Sequence, residues 1–285
     1  MPVVRIESAG DPRLASYRNI PDRELLVRRG IFIAEGRLVV RRLLAAGAPR
    51  VQSLLVSDAA LASLDDLLDA GRDPRPIYVG SRDLLTEIVG FNVHRGCLAC
   101  GERPAALPLE AVLTSSDLSA EARSAKVDRA PLILLEEVGN PDNIGGIFRS
   151  AQALGARAIV LDPRCSDPLY RKAIRVSMGS SLEVPFVKVA EWLPSLEAIK
   201  SAGWRLIGLT PAPNAAALTH VLTARWGLPV AFLLGHEGSG LSEQARTHLD
   251  AEARIPMTPG VDSLNVATAA AIALYEAGRA RDLGI

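Results

Sequence analysis

Apolar residues in this chain fall into short runs separated by stretches that keep one apolar face. Near the N-terminus, Leu38, Val39, Leu43 and Leu44 lie on one side of a helical wheel and Arg37, Arg41 and Arg42 on another, which predicts a helix over Glu35–Ala46. A strand over Val51–Val56, a helix over Leu61–Leu68, a short strand over Ile77–Val79 and a helix over Arg82–Val89 follow. The C-terminal part is more regular. Strands are expected at Leu132–Leu135, Ala158–Leu161, Val184–Val187, Leu206–Leu209, Val230–Leu234 and Arg254–Pro256. Helices are expected between or after them at Ile144–Leu154, Leu169–Val176, Trp192–Ala202, Glu243–Leu249 and Val266–Ala280.

Apolar strands alternating with helices imply an α/β fold with a mostly parallel sheet covered on both faces. Ligands of such sheets bind beyond the carboxyl ends of the strands. The loops after Leu135, Leu209, Leu234 and Pro256 carry the unusual residues: Glu136 to Asn143, Thr210-Pro211, the glycine-rich Gly235 to Ser242, and Met257 to Asn265. Residues 104–130 mix Pro, Ser, Ala and Glu without a sustained apolar period, so a boundary is expected there. The division expected is a smaller α/β domain over 1–105, a linker over 106–130 and a second domain over 131–285.

The 285 residues are 48% hydrophobic and 22% charged, which excludes a disordered chain or a collagen-like repeat. Thirty-two basic residues balance thirty-two acidic ones, so no global cationic field marks a nucleic-acid binder. The balance is not local. Residues 1–50 hold ten arginines against five carboxylates, while residues 51–75 hold five aspartates against two arginines. Arginine suits forked phosphate recognition and base stacking, but such a run also serves as a solvated helix face. Three cysteines cannot build a disulfide framework, and the N-terminus meets charge within a few residues. The longest apolar run, Val266 to Tyr275, is about half a membrane span, so a cytoplasmic protein is expected.

Several motifs are too weak alone. Gly235 to Gly240 has the order Gly-x-x-Gly-x-Gly, which is neither a Walker A loop nor a dinucleotide fingerprint. A glycine-rich turn of this kind is often purely structural, and Glu237 inside it argues for function. Asn143 suits a helix N-cap, and Arg149 two turns further on is either a salt-bridge residue or a phosphate ligand. Cys97 and Cys100 form one Cys-x-x-Cys with only His94 and Cys165 to add, short of a structural zinc site, so no metal is expected. The four histidines and Gly238-Ser239-Gly240 match no metalloprotease or hydrolase pattern.

Taken together, three stretches resemble the SpoU (TrmH) family of RNA ribose 2′-O-methyltransferases in the SPOUT superfamily. They are Asn143-Ile-Gly-Gly-Ile-Phe-Arg149-Ser-Ala, Leu234-Gly235-His-Glu237-Gly238-Ser-Gly240-Leu-Ser, and Ile255-Pro256-Met257 followed by Asp262-Ser263-Leu264-Asn265-Val266-Ala267. Phe32 to Gly36 and His94-Arg95-Gly96 are similar to the ribosomal-protein-like substrate-binding domain that many members carry, and read Cys97 and Cys100 as residues of a closing strand.

The resemblance implies a deep trefoil knot in the C-terminal domain, which general topology rules would not suggest. It implies S-adenosylmethionine bound against Leu209, Thr210, Leu234, Gly235, Gly238, Ile255, Met257 and Leu264, with Arg149, Asn143, Glu237, Ser263 and Asn265 as the catalytic set. It implies a homodimer and an RNA substrate, with ribosomal RNA favoured over tRNA; the arginine surplus of residues 1–50 makes Arg28, Arg29, Arg37 and Arg41, together with Arg149, the expected RNA contacts. In the last helix, Val266, Ala269, Ala270, Ala273 and Leu274 form a small-residue stripe for close packing, in the core or against a partner helix. Two other readings stay open at this point: a non-catalytic RNA-binding ribosome-assembly factor, and a nucleotide-dependent oxidoreductase, which the glycine order disfavours.

Overall fold

A computed structural model describes residues 2–18, 20–45, 51–68, 75–90, 93, 96–114, 130–223 and 229–283. The chain divides into two compact units, Met1–Ala105 with Pro168–Glu183, and Ala106–Asp167 with Val184–Ile285. No helix among the described residues is long and apolar enough to cross a membrane.

The first unit holds β1 (Val3–Arg5), α1 (Asp22–Arg28), β2 (Ile31–Glu35), α2 (Arg37–Ala45), β3 (Val51–Val56), α3 (Asp58–Ala62), β4 (Ile77–Val79), α4 (Arg82–Val89) and β5 (Cys97–Glu102). The strands form a sheet of order β1-β4-β3-β5-β2, parallel from β1 to β3 and antiparallel through β5 and β2. Its core gathers Leu14, Tyr17, Leu25, Ile31, Ile33, Leu55 and Leu98. Cys97 and Cys100 do lie in a strand. Burial pushes their thiols up to about 12 and about 11, so both stay protonated at neutral pH.

Three readings of this unit change. Glu35 closes the buried strand β2 instead of opening a helix, because Gly36 at φ 103° turns the chain first. The helix expected over Leu61–Leu68 is α3, capped by Ser57 onto Ala60 N, and then a single 3-10 turn at Asp65–Leu67. The segment Pro168–Glu183 packs here too. Its helix α7 (Arg171–Val176) lies on β2, and the Arg171 backbone N–H and Nε donate to the two Asp22 carboxylate oxygens at 3.0 and 2.8 Å.

The second unit holds α5 (Leu109–Leu113), β6 (Leu132–Leu135), α6 (Pro141–Leu154), β7 (Ala158–Leu161), β8 (Phe186–Lys188), α8 (Trp192–Ser201), β9 (Arg205–Leu209), β10 (Ala216–Ala217), α9 (Leu218–Thr223), β11 (Val230–Leu234), α10 (Glu243–Arg246), β12 (Ala251–Arg254) and α11 (Val266–Leu283). All strand pairs are parallel in the order β10-β12-β9-β11-β6-β7-β8. The chain runs outward from β6 to β8, restarts at β9, and then inserts β11 between β9 and β6. The ends of β9, β11 and β12 therefore lie side by side.

Strand β8 starts two residues later than expected, after Pro185, which has no N–H for a ladder. β12 ends at Arg254, short of the expected Arg254–Pro256, and is built of Ala251-Glu-Ala-Arg, which carries no β-branched signal. Within the expected linker, α5 buries Val112 in the core of this unit, where Arg157 Nε donates to the Val112 carbonyl at 2.7 Å. Residues 115–129 lie outside the described residues.

Candidate active site

Beyond the carboxyl ends of β9, β11 and β12 lies a cavity of about 490 Å³, within the ~300–1,000 Å³ range of small-molecule sites. Leu209 and Thr210 border it from β9, Leu234 and Gly235 from β11, and Ile255 and Met257 from the segment after β12. Gly238 and Leu264 line it too, so all eight residues expected to hold a cofactor face one space. Of the expected catalytic residues, Glu237, Ser263 and Asn265 line the same cavity. Asn143 and Arg149 do not.

Asn143 is joined to the cavity wall by hydrogen bonds. Asn140, not Asn143, caps α6: its side chain accepts from Asp142 N, and Pro141 takes the first helical position. Asn143 is thereby placed inside the first turn, where it is buried. Its Nδ2 donates to Glu237 Oε1 at 2.6 Å, and its Oδ1 accepts from Asn265 Nδ2 at 2.8 Å. Asn265 in turn caps α11, its Oδ1 accepting from Ala267 N at 2.9 Å and Thr268 N at 3.3 Å. The direction of the chain follows from that cap. An Asn265 oxygen committed to helix amides leaves only its NH₂ for Asn143, so the Asn143 NH₂ must face Glu237. Helices α6 and α11 come close enough for this because Gly146 faces Ala267, where a Cβ would stand 3.0 Å from the alanine methyl.

Asn265→Ala should remove the α11 cap, worth about 0.5–2 kcal/mol, and free the Asn143 amide to turn. A lower melting temperature together with weakened activity is expected. A drop in stability with full activity would mean that the amide chain has no part in the chemistry.

Arg149 lies on α6, exposed, with no hydrogen bond or ion pair to the described residues. Ser263 is exposed on the cavity wall.

The glycine loop is held from two sides. An added Cβ on Gly235 would stand 2.3 Å from the Gly240 carbonyl oxygen, so only glycine fits. Buried Glu136 fixes the loop's exit: its carboxylate accepts from Ser242 N at 2.9 Å, Ser242 Oγ at 2.7 Å and Trp192 Nε1 at 3.1 Å. Inside the loop, His236 Nδ1 accepts from Gly238 N at 2.9 Å and Ser239 N at 3.2 Å, while Gly240 N donates to the His236 carbonyl at 3.0 Å. The Gly238, Ser239 and Gly240 amides are thus occupied, and Gly238 can face a ligand only through its Cα and carbonyl. Among the lining residues Glu237 and Asp262 carry carboxylates, and there is no Lys or Arg. Such a cavity repels a dinucleotide and accommodates a cationic, phosphate-free molecule.

Sequence reasoning missed His236, Asp262 and Pro211 on the cavity wall. Among the RNA-binding candidates, Arg28 is exposed, Arg29 pairs with Glu24 at 3.5 Å, and Arg37 is half-buried. Arg41 grips both Asp66 oxygens at 2.7 and 2.6 Å and the Ser63 carbonyl at 2.7 Å, so it is committed within its own unit. His94 and Arg95 lie outside the described residues. No group of three or more His, Cys, Asp or Glu side chains among the described residues is placed to hold a metal.

The sequence profile of the SpoU rRNA Methylase family matches residues 130–275. An uncharacterised tRNA/rRNA methyltransferase of Mycobacterium bovis is 41% identical over 274 residues, covering 94% of this chain and 89% of that protein. The 23S rRNA (guanosine-2′-O-)-methyltransferase RlmB of Yersinia pestis is 30% identical over 210 residues, covering 73% of this chain and 79% of that protein. Among solved structures, the SpoU methyltransferase AviRb of Streptomyces viridochromogenes in complex with AdoMet superposes with a TM-score of 0.76 at 26% identity, covering 96% of this chain and 100% of that one.

Proposed function

The chain belongs to the SpoU rRNA methylase family of RNA methyltransferases, and from that premise we propose that it transfers the methyl group of S-adenosylmethionine to a ribose 2′-hydroxyl, with ribosomal RNA favoured as substrate. The observation that carries the cofactor is the cavity itself: carboxylates from Glu237 and Asp262, no basic lining side chain, and the Gly238 and Ser239 amides already occupied. AviRb, whose fold this chain shares, was solved with AdoMet, and the Yersinia pestis relative is named for guanosine 2′-O-methylation in 23S rRNA.

The residues present fit the cofactor. Gly235 permits backbone approach, Ile255, Met257 and Leu264 offer apolar contact to an adenine, and the carboxylates favour a positive sulfonium. When bound, the cofactor supplies an electrophilic methyl carbon. Methyl transfer would join that carbon to the ribose oxygen, leave the sulfur as a neutral thioether and release the hydroxyl proton to solvent. Alignment of the two centres is the largest contribution available, up to roughly 7–11 kcal/mol. Arg149 serves as a hydrogen-bond donor, since a guanidinium has donors only and no acceptor to offer. Its role in this reading is to hold the neighbouring phosphate and to stabilise negative charge growing on the oxygen. Asn143 and Asn265 keep the Glu237 carboxylate in one position at the cavity wall. The insertion of β11 between β9 and β6 supports the trefoil knot that the resemblance implies. Homodimerisation belongs to the same reading.

Calorimetry with S-adenosylmethionine, with NAD and with a chelator tests the cofactor; binding of NAD, or loss of binding with the chelator, sinks the proposal. Mapping of ribose methylation in ribosomal and transfer RNA from a strain lacking the protein identifies the substrate. Methylation lost from a base would refute ribose as the acceptor. For RNA contact, Arg28 is exposed and, unlike Arg29 and Arg41, makes no ion pair to the described residues. Arg28→Ser should lower RNA affinity severalfold and reduce the slope of log affinity against log salt by about one. An unchanged slope would make it ordinary surface.

A further inference from the structure

The glycine loop contains one side chain that neither the resemblance nor the proposed chemistry assigns. His236 stands between Gly235 and Glu237 and lines the cavity. Its backbone pairs with Gly240 in both directions, at 3.1 and 3.0 Å, closing a five-residue turn. The amides of Gly238 and Ser239 point into that turn and meet the ring at Nδ1, at 2.9 and 3.2 Å. The ring also lies against the backbone of Gly238, where a Cβ would sit 3.4 Å from Cε1 and from Nδ1.

A ring nitrogen that accepts two N–H groups carries no proton. The imidazole must then be neutral with its hydrogen on Nε2. Remove the ring, and both amides lose their partner and the turn loses its filling. Glu237 is a corner of the same turn, and its carboxylate is tied to the rest of the site through the 2.6 Å bond from Asn143. The shape of the turn therefore decides where the Glu237 backbone lies, and the Asn143 bond decides where its side chain ends.

We propose that His236, as the neutral Nε2–H tautomer, is a positioning residue that sets the glycine loop and thereby the Glu237 carboxylate for methyl transfer. This rests on reading the cavity as the cofactor site. It predicts a ranking that a cationic or ring-specific role would not produce. In His236→Asn the amide Oδ1 occupies nearly the place of Nδ1 and can accept the same two N–H groups. In His236→Ala nothing does.

The test uses the full chain with S-adenosylmethionine and substrate RNA, comparing His236→Ala, His236→Asn and the parent. A displaced reacting geometry should cut kcat for His236→Ala by about 10–100-fold, with His236→Asn within about threefold of the parent and all three melting alike. Equal damage from Asn and Ala would overturn the proposal, since the ring or its charge would then be what matters. A fully active His236→Ala would overturn it as well. Independently, ¹⁵N spectra of the labelled protein near neutral pH should give His236 Nδ1 the shift of an unprotonated ring nitrogen; a protonated Nδ1 overturns the assignment. A parent protein that binds no S-adenosylmethionine would sink the cofactor reading, while the nitrogen shift would still decide how the ring holds the loop.

Discussion

Arg149→Ala should lower single-turnover methyl transfer by about 10²–10³-fold, the range for removing one donor that stabilises negative charge developing on an oxygen in the transition state. Two measurements should barely move. Stability should hold, because Arg149 is exposed and makes no hydrogen bond or ion pair to the described residues. S-Adenosylmethionine affinity should hold, because Arg149 does not border the cavity. Lysine should restore only part of the rate, since a single ammonium cannot reproduce the planar fork on a phosphate. Near-normal transfer by Arg149→Ala would move the catalytic assignment to Asn143, Ser263 or Asn265.

Gly235→Ala should be the most damaging change to cofactor binding. The added methyl carbon would stand 2.3 Å from the Gly240 oxygen, 2.4 Å from its carbonyl carbon and 2.6 Å from Leu241 N, all backbone atoms. Nothing there can swing aside as a side chain could, so the loop itself must open. Forcing such an overlap costs typically about 1–3 kcal/mol, and it displaces the wall that faces the adenosine. At least a tenfold loss of cofactor affinity, about 1.4 kcal/mol, is expected by calorimetry with a modest fall in melting temperature. Unaltered affinity would show that the ligand does not lean on this turn.

Leu209, Thr210, Leu234 and Gly235 were legible in advance because they end or follow apolar strands, whereas Ile255 and Met257 follow β12, which carries no such signal. Leu209, Leu234 and Ile255 are brought together by sheet order, which the motif resemblance implied and which local patterning does not contain. The α6 cap was misplaced by three residues although Pro141 marks the first helical position and so points to Asn140. Arg41 could not have been read correctly, since its partner Asp66 is 25 residues away, in the acid-rich stretch 51–75, and no local pattern links the two. His236 did leave a signal: a side-chain acceptor two residues before a glycine amide is an ordinary turn device, usually supplied by Asn, Asp, Ser or Thr.

Grouping Pro168–Glu183 with the N-terminal unit has a consequence for the order of synthesis. Strand β2 and Asp22 leave the ribosome early, but α7, which covers one and binds the other, follows well over a hundred residues later. At ~5–20 residues per second the wait is on the order of ten seconds. During that interval the apolar surface of β2 lacks its natural cover, and the nascent chain must avoid aggregation by other means. The first unit is thus finished only after residues 106–167 of the second have been made.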